Sequence, residues 1–115
     1  MNKREKILHR WKTSEKYTDR SKNHNRLKWN VIYLNRRYTY QHELTKCKIA
    51  LEKMKEFHDI ITEARRKSDD RIIDVVDLDT GEEIEIVCEN DDPKVIERYK
   101  KEGVTIIYGR KENVQ

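Results

Sequence analysis

Asp74 and Glu85, two carboxylates in the stretch Arg71–Glu89, are the residues whose type and spacing could do chemistry. β-Branched residues flank a turn at Asp79-Thr80-Gly81, which predicts a β-hairpin. A two-residue loop centred on Thr80-Gly81 pairs Asp79 with Glu82, Val76 with Glu85 and Asp74 with Val87. One face then carries Ile73, Val75, Asp77, Ile84, Ile86 and Cys88, nearly all apolar, and must be covered. The other carries Ile72, Asp74, Val76, Leu78, Glu83, Glu85, Val87 and Glu89. Asp74 therefore sits among apolar neighbours with Glu85 diagonal to it, in reach of a shared cation. The plainer reading is that Glu82, Glu83, Glu85 and Glu89 are a solvated strand face, with Asp74 paired to Arg71 or lying on an exposed edge.

The elements that must position this pair follow from periodicity. Thr39 is a fair N-cap for one long helix from Tyr40 to Lys67, with Leu44, Cys47, Leu51, Met54, His58 and Ile61 at three- and four-residue steps. Its length exceeds the hairpin it covers, so the excess pairs with a second copy, making a homodimer, or kinks. Glu43 lies one turn in, where the macrodipole favours a carboxylate, so capping competes with function. His58 reads as a satisfied structural histidine. Asp92-Pro93 starts a short helix that Gly103 stops, and Val104–Tyr108 reads as a buried strand parallel to the second hairpin strand. The fold class is α/β (α+β): a small mixed sheet of three or more strands, hairpin plus parallel strand, packed by one long and one short helix. Residues 1–39 form a basic arm, 40–109 the core and 110–115 a frayed tail. In the arm, Ile7, Leu8 and Trp11 suit a short helix, while Leu27, Trp29, Val31 and Tyr33 alternate like an edge strand, with a helical turn fitting almost as well.

Of 115 residues, 42% are charged and 35% hydrophobic, so one domain with a modest core is expected. Residues 1–40 hold 12 Lys or Arg against 3 acids, and residues 72–115 hold 6 against 12. That asymmetry points to a nucleic-acid partner. Both tryptophans and four of the six tyrosines share the basic segment, so Arg26, Lys28, Trp29, Arg36 and Arg37 are the residues expected to grip a backbone or stack on bases. The bland alternative packs Trp29 and Tyr33 on the core. No run is long and apolar enough for a membrane span, and no secretory signal is recognised, so a cytoplasmic protein with reduced Cys47 and Cys88 is expected. There is no phosphate-cradling Gly-rich loop and no HExxH, and His9, His24, His42 and His58 lack metal spacing.

Helix, hairpin, helix and strand over residues 40–108 resemble the minimal core of the PD-(D/E)XK nuclease superfamily, with archaeal Holliday-junction resolvases and small virus or plasmid nucleases nearest. In that family an acid on the second core strand and a (D/E)-x-K on the next bind Mg²⁺, often assisted by a helix glutamate. The resemblance carries Asp74 in IIDVVDL, Glu85 in EIEIV and Glu43 in QHELT onto those catalytic roles, with Asp74 and Glu85 as metal ligands. Val87 stands where the family has lysine, and Lys94 is a nearby candidate to replace it. Three functions follow: a Mg²⁺-dependent endonuclease acting on DNA, a DNA-binding or architectural protein of the same fold without catalysis, and a regulatory module dimerising through the long helix.

Overall fold

β-Branched runs at Ile60-Ile61-Thr62, Ile72–Val76 and Glu83–Val87 build the centre of the molecule. The computed structural model describes residues 1–20, 28–87 and 91–109; His24, Arg26, Leu27, Cys88, Glu89 and the tail 110–115 lie outside them. In chain order the elements are α1 (Lys3–Ser14), β1 (Tyr17–Thr18), α2 (Tyr40–Lys55), β2 (Ile60–Arg66), β3 (Ile72–Asp77), β4 (Glu83–Val87), α3 (Pro93–Lys101) and β5 (Thr105–Tyr108). The strands form one mixed sheet in the order β1-β2-β3-β4-β5, antiparallel except for the parallel β4–β5 pair. Among the described residues, no helix is long and apolar enough to cross a membrane.

The expected mixed sheet, the short helix and the parallel last strand are present. Asp92 caps α3 by accepting from the Lys94 amide, Pro93 opens the helix, and Gly103 ends it at φ 80°.

The long helix is not. α2 begins at the expected cap, Thr39, but stops at Lys55, and Phe57 takes a left-handed φ of 65° that turns the chain. Residues expected in its second half form β2, where Ile60, Ile61 and Ala64 are fully buried. As a strand they satisfy their backbone groups against β3, which an isolated helical overhang could not match with packing. No overhang remains to pair with a second copy. The buried side of α2 is also offset, consisting of His42, Lys46, Ile49 and Ala50, while Leu51 is exposed.

The hairpin loop has four residues, Leu78–Gly81, not two. Asp77 N–H donates to the Glu82 carbonyl (2.9 Å) and Gly81 N–H to the Asp77 carbonyl (2.8 Å). The Asp77 carboxylate explains the wider loop, because it accepts from the Asp79 and Thr80 amides at 2.9 and 3.2 Å. The register therefore shifts by two residues, pairing Val75 with Ile84 and Val76 with Glu83. A shift of two preserves faces, so Asp74 stands level with Glu85 and not with Val87.

Alternation nevertheless breaks within β2 and β3. Ile61 and Ala64 share one apolar cluster with Ile73 and Val76, although each pair is separated by an odd number of residues. Glu63 has a φ of 49°, and the paired residues Thr62–Val75 and Ala64–Ile73 flank a Glu63–Asp74 rung that is itself unpaired. Both strands thus switch face at one level. Ile73, expected on the face of Val75, lies with Val76, Leu78 and Tyr17, while Val75, Ile84 and Ile86 pack under Ile49 and Ala50 of α2.

The basic first forty residues supply α1, β1 and part of the core. Tyr17 is buried and donates to Glu83 at 2.6 Å, and Arg10 of α1 holds Asp59 and Asp79 at 2.9 and 2.7 Å. Residues 28–38 contain no strand. Asn30, at φ 59°, breaks the extended run and binds both backbone groups of Ile60, while Thr62 Oγ1 takes the place of a ladder partner for Val31 and Tyr33.

Candidate functional site

The face switch turns Asp74 toward the N-terminal end of α2. Its Oδ2 accepts the Ile86 amide at 2.8 Å, and its own amide donates to Glu85 Oε1 at 3.3 Å. Side-chain oxygens thus stand where ladder carbonyls would be. The two carboxyls are 3% and 7% exposed. Burial, followed by the charge of Asp74, pushes the Glu85 carboxyl up to about 9, so it holds a proton at neutral pH.

His42 projects onto the pair from the first turn of α2. Its Nε2 is 3.3 Å from Asp74 Oδ2 and its Nδ1 2.9 Å from Glu43 Oε1. Burial opposes the imidazolium, but these two carboxylates outweigh it and raise the pKa. Glu43 Oε2 accepts from the Asn35 amide (2.9 Å) and from Lys46 Nζ (2.8 Å). Lys46 is fully buried and reaches Glu63 Oε1 at 2.9 Å, and Arg20 closes the chain on Glu63 Oε2 at 2.6 Å. Burial works against the Lys46 charge too, and Glu43 and Glu63 outweigh it. Acid and base alternate from Asp74 to Arg20, which is how buried charges are tolerated.

Above Asp74 and Glu85 lies a cavity of about 420 Å³. Arg37, Tyr38 and Thr39 line it from the segment leading into α2, Val95, Ile96 and Tyr99 from α3, and Asp91 and Asp92 from the residues just before α3. Thr39 caps α2 and Asp92 caps α3, so two helix N-termini converge here with their positive dipole ends. Tyr38 stacks on His42 with ring centroids 4.2 Å apart.

Of the site residues read from the sequence, the structure brings Asp74 and Glu85 together. Glu43 stands one step back, holding His42 and Lys46. Arg37 lines the cavity, whereas Arg36 and Lys28 are exposed elsewhere on the segment. Trp29 packs on Trp11 (5.1 Å) and against the cluster of Tyr17 and Val76, as core rather than as a stacking platform. Sequence reasoning missed His42, Lys46, Glu63, Tyr38 and Arg20. The spacing of His42, Glu43 and Lys46 puts them within one helical turn, which was the available signal.

A second ionic group sits at the other end of α2, with ligand atoms of His58, Asp77 and Asp79 within 4.8 Å of one another. There His58 Nδ1 is 2.7 Å and Lys53 Nζ 3.2 Å from Asp77 Oδ2, and Arg10 and the Asp59 amide take the Asp79 oxygens. His58 is the satisfied structural histidine that the sequence suggested.

No family model matches the chain, and comparison with curated proteins and with solved structures finds no significant match.

Proposed function

We propose that this protein is a Mg²⁺-dependent hydrolase of nucleic-acid backbones, with Asp74 and Glu85 as the metal ligands. The observation that carries the reading is the pair itself: two buried carboxyls on adjacent strands that both line an open cavity, with burial first and then the neighbouring Asp74 pushing the Glu85 carboxyl up. Such a donor set fits a hard divalent cation, which would take the place of that proton. The bound cation would polarise a phosphate and lower the pKa of its water. His42 keeps Asp74 oriented, Glu43 keeps His42 oriented, and Arg37 and the two helix N-termini offer positive groups to a phosphate. The element order α2-β2-β3-β4-α3-β5 supports the resemblance to the PD-(D/E)XK core, since it sets Asp74 on the second core strand and Glu85 on the third. DNA in a cytoplasmic setting is the expected substrate.

Labelled single-stranded, duplex and four-way-junction DNA incubated with Mg²⁺, Mn²⁺ or EDTA tests this. Metal-dependent cleavage that Asp74→Asn abolishes is the expected result. Cleavage that survives Asp74→Asn would remove the pair from the mechanism. Two observations favour a second reading, a DNA-binding protein without catalysis: Val87 stands in the family's lysine position, and His42 Nε2 already lies 3.3 Å from Asp74 Oδ2. Shifted but uncut bands in every metal would select it.

A further inference from the structure

Two aromatic rings that line the Asp74–Glu85 cavity from different elements are unexplained by metal binding. Tyr38 comes from the loop before α2 and Tyr99 from α3. Each is backed by a second side chain: the His42 ring lies 4.2 Å from that of Tyr38, nearly parallel at 25°, and the Arg71 guanidinium carbon is 4.7 Å from the Tyr99 centroid. Arg71 is fixed in turn by an ion pair with Glu102. Rings held this way are ready to stack without losing further side-chain freedom.

The cavity, about 420 Å³, is at the small end of ligand pockets and has room for one nucleotide but not for a base pair. Asp91 and Asp92 in its lining disfavour a ligand drawn in by phosphate charge alone. A flat, uncharged, aromatic group entering between the tyrosines meets neither objection. We infer that the cavity takes one unpaired nucleotide, its base between Tyr38 and Tyr99 and its phosphate toward Arg37. The substrates are then single strands, flaps and frayed ends, not intact duplex. This rests on the hydrolase reading for what happens at Asp74 and Glu85, but the stacking itself needs no metal. Unpaired DNA and unpaired RNA present the same π-faces, so the shared chemistry is the exposed base.

The test is fluorescence anisotropy of labelled oligo(dT), oligo(rU) and a blunt hairpin duplex, each in Ca²⁺ and in EDTA, with cleavage followed in parallel in Mg²⁺. The intact chain should prefer at least one of the single strands over duplex by about tenfold, the stacking of one base. Tyr99→Ala should erase most of that preference and Tyr99→Phe should keep it. Tyr99 is half-buried on a helix surface, so the alanine variant should fold, which circular dichroism checks. Preference unchanged in Tyr99→Ala, or duplex bound as tightly as single strands, overturns the inference. Cleavage that persists with such an unchanged preference overturns it while leaving the hydrolase standing. A Tyr99-dependent preference without cleavage supports it while removing the hydrolase.

Discussion

α2 carries an ionic cluster at each end, and the two are built from the same parts with opposite results. Asp74 and Asp77 lie three residues apart on β3, and each meets a histidine and each cluster a lysine of α2. At the C-terminal end, the four short contacts to Asp77 come from donors: the Asp79 and Thr80 amides, His58 and Lys53. Burial alone would raise its pKa, but those donors outweigh it and the pKa is lowered. At the N-terminal end, Asp74 stands beside another carboxyl that lines the same open cavity, and Glu85 is pushed up to about 9. One cluster is a finished structural joint. The other keeps two carboxyls side by side where a ligand can reach them, the usual signature of a functional site.

The largest expected effect breaks the N-terminal cluster at its centre. Lys46→Met leaves Glu43 and Glu63 buried without the cation between them, and urea denaturation should show a loss of about 3–5 kcal/mol. A loss below about 1 kcal/mol would mean that the chain of ion pairs contributes little. Asp77→Ala strips the other cluster and leaves loop amides without an acceptor, for about 2–3 kcal/mol, with the proposed cleavage unchanged if the C-terminal joint is purely structural. Because the folded pKa of Asp77 is lowered from 3.8, its contribution is present above that value and disappears as pH falls through the folded one.

Glu85 gives the sharper contrast. Its folded pKa, about 9, lies above the ordinary 4.5, so between these values the folded state holds a proton that the unfolded state has released. Stability must therefore fall as pH rises, by at most about 1.4 kcal/mol per unit. Glu85→Gln removes that slope and should stabilise the protein at pH ~8 while abolishing the metal binding proposed for the pair, a trade that functional sites commonly show. A residual decline remains from His42, whose raised pKa makes its stabilisation complete below 6.5 and lost as pH passes the folded value. Urea titrations at several pH values separate the two. The smallest effect is at the turn after α2: Phe57, 87% exposed at φ 65°, gains from replacement by glycine, and Phe57→Gly should add about 1 kcal/mol.

Local chemistry made part of this legible in advance. Asp92-Pro93 and Gly103 bracket α3 because caps act within a few residues, and TIIY announces β5 by its side-chain branching. The proximity of Asp74 and Glu85 survived a register error because the two-residue shift moved Glu85 from the diagonal to the level of Asp74. The long helix failed because Phe57, Ile61 and Ala64 continue the helical spacing of α2, while the left-handed turn at Phe57 leaves no periodic trace. The alternation of charges from Asp74 to Arg20 was hidden for a different reason. Lys46 and Glu63 are 17 positions apart, and an ion pair across such a distance is specified only once the strand has docked.

The paired switch at Glu63 and Asp74 also bears on how the chain finds its sheet. An ordinary hairpin can slip by two residues and still bury its apolar face, which leaves misaligned forms that interconvert slowly and invite intermolecular pairing. Here a slip of β2 along β3 would separate the two irregular positions, putting a left-handed residue against regular chain. The same irregularity that aims a carboxyl at the cavity thus works as an alignment key, admitting one pairing of β2 with β3.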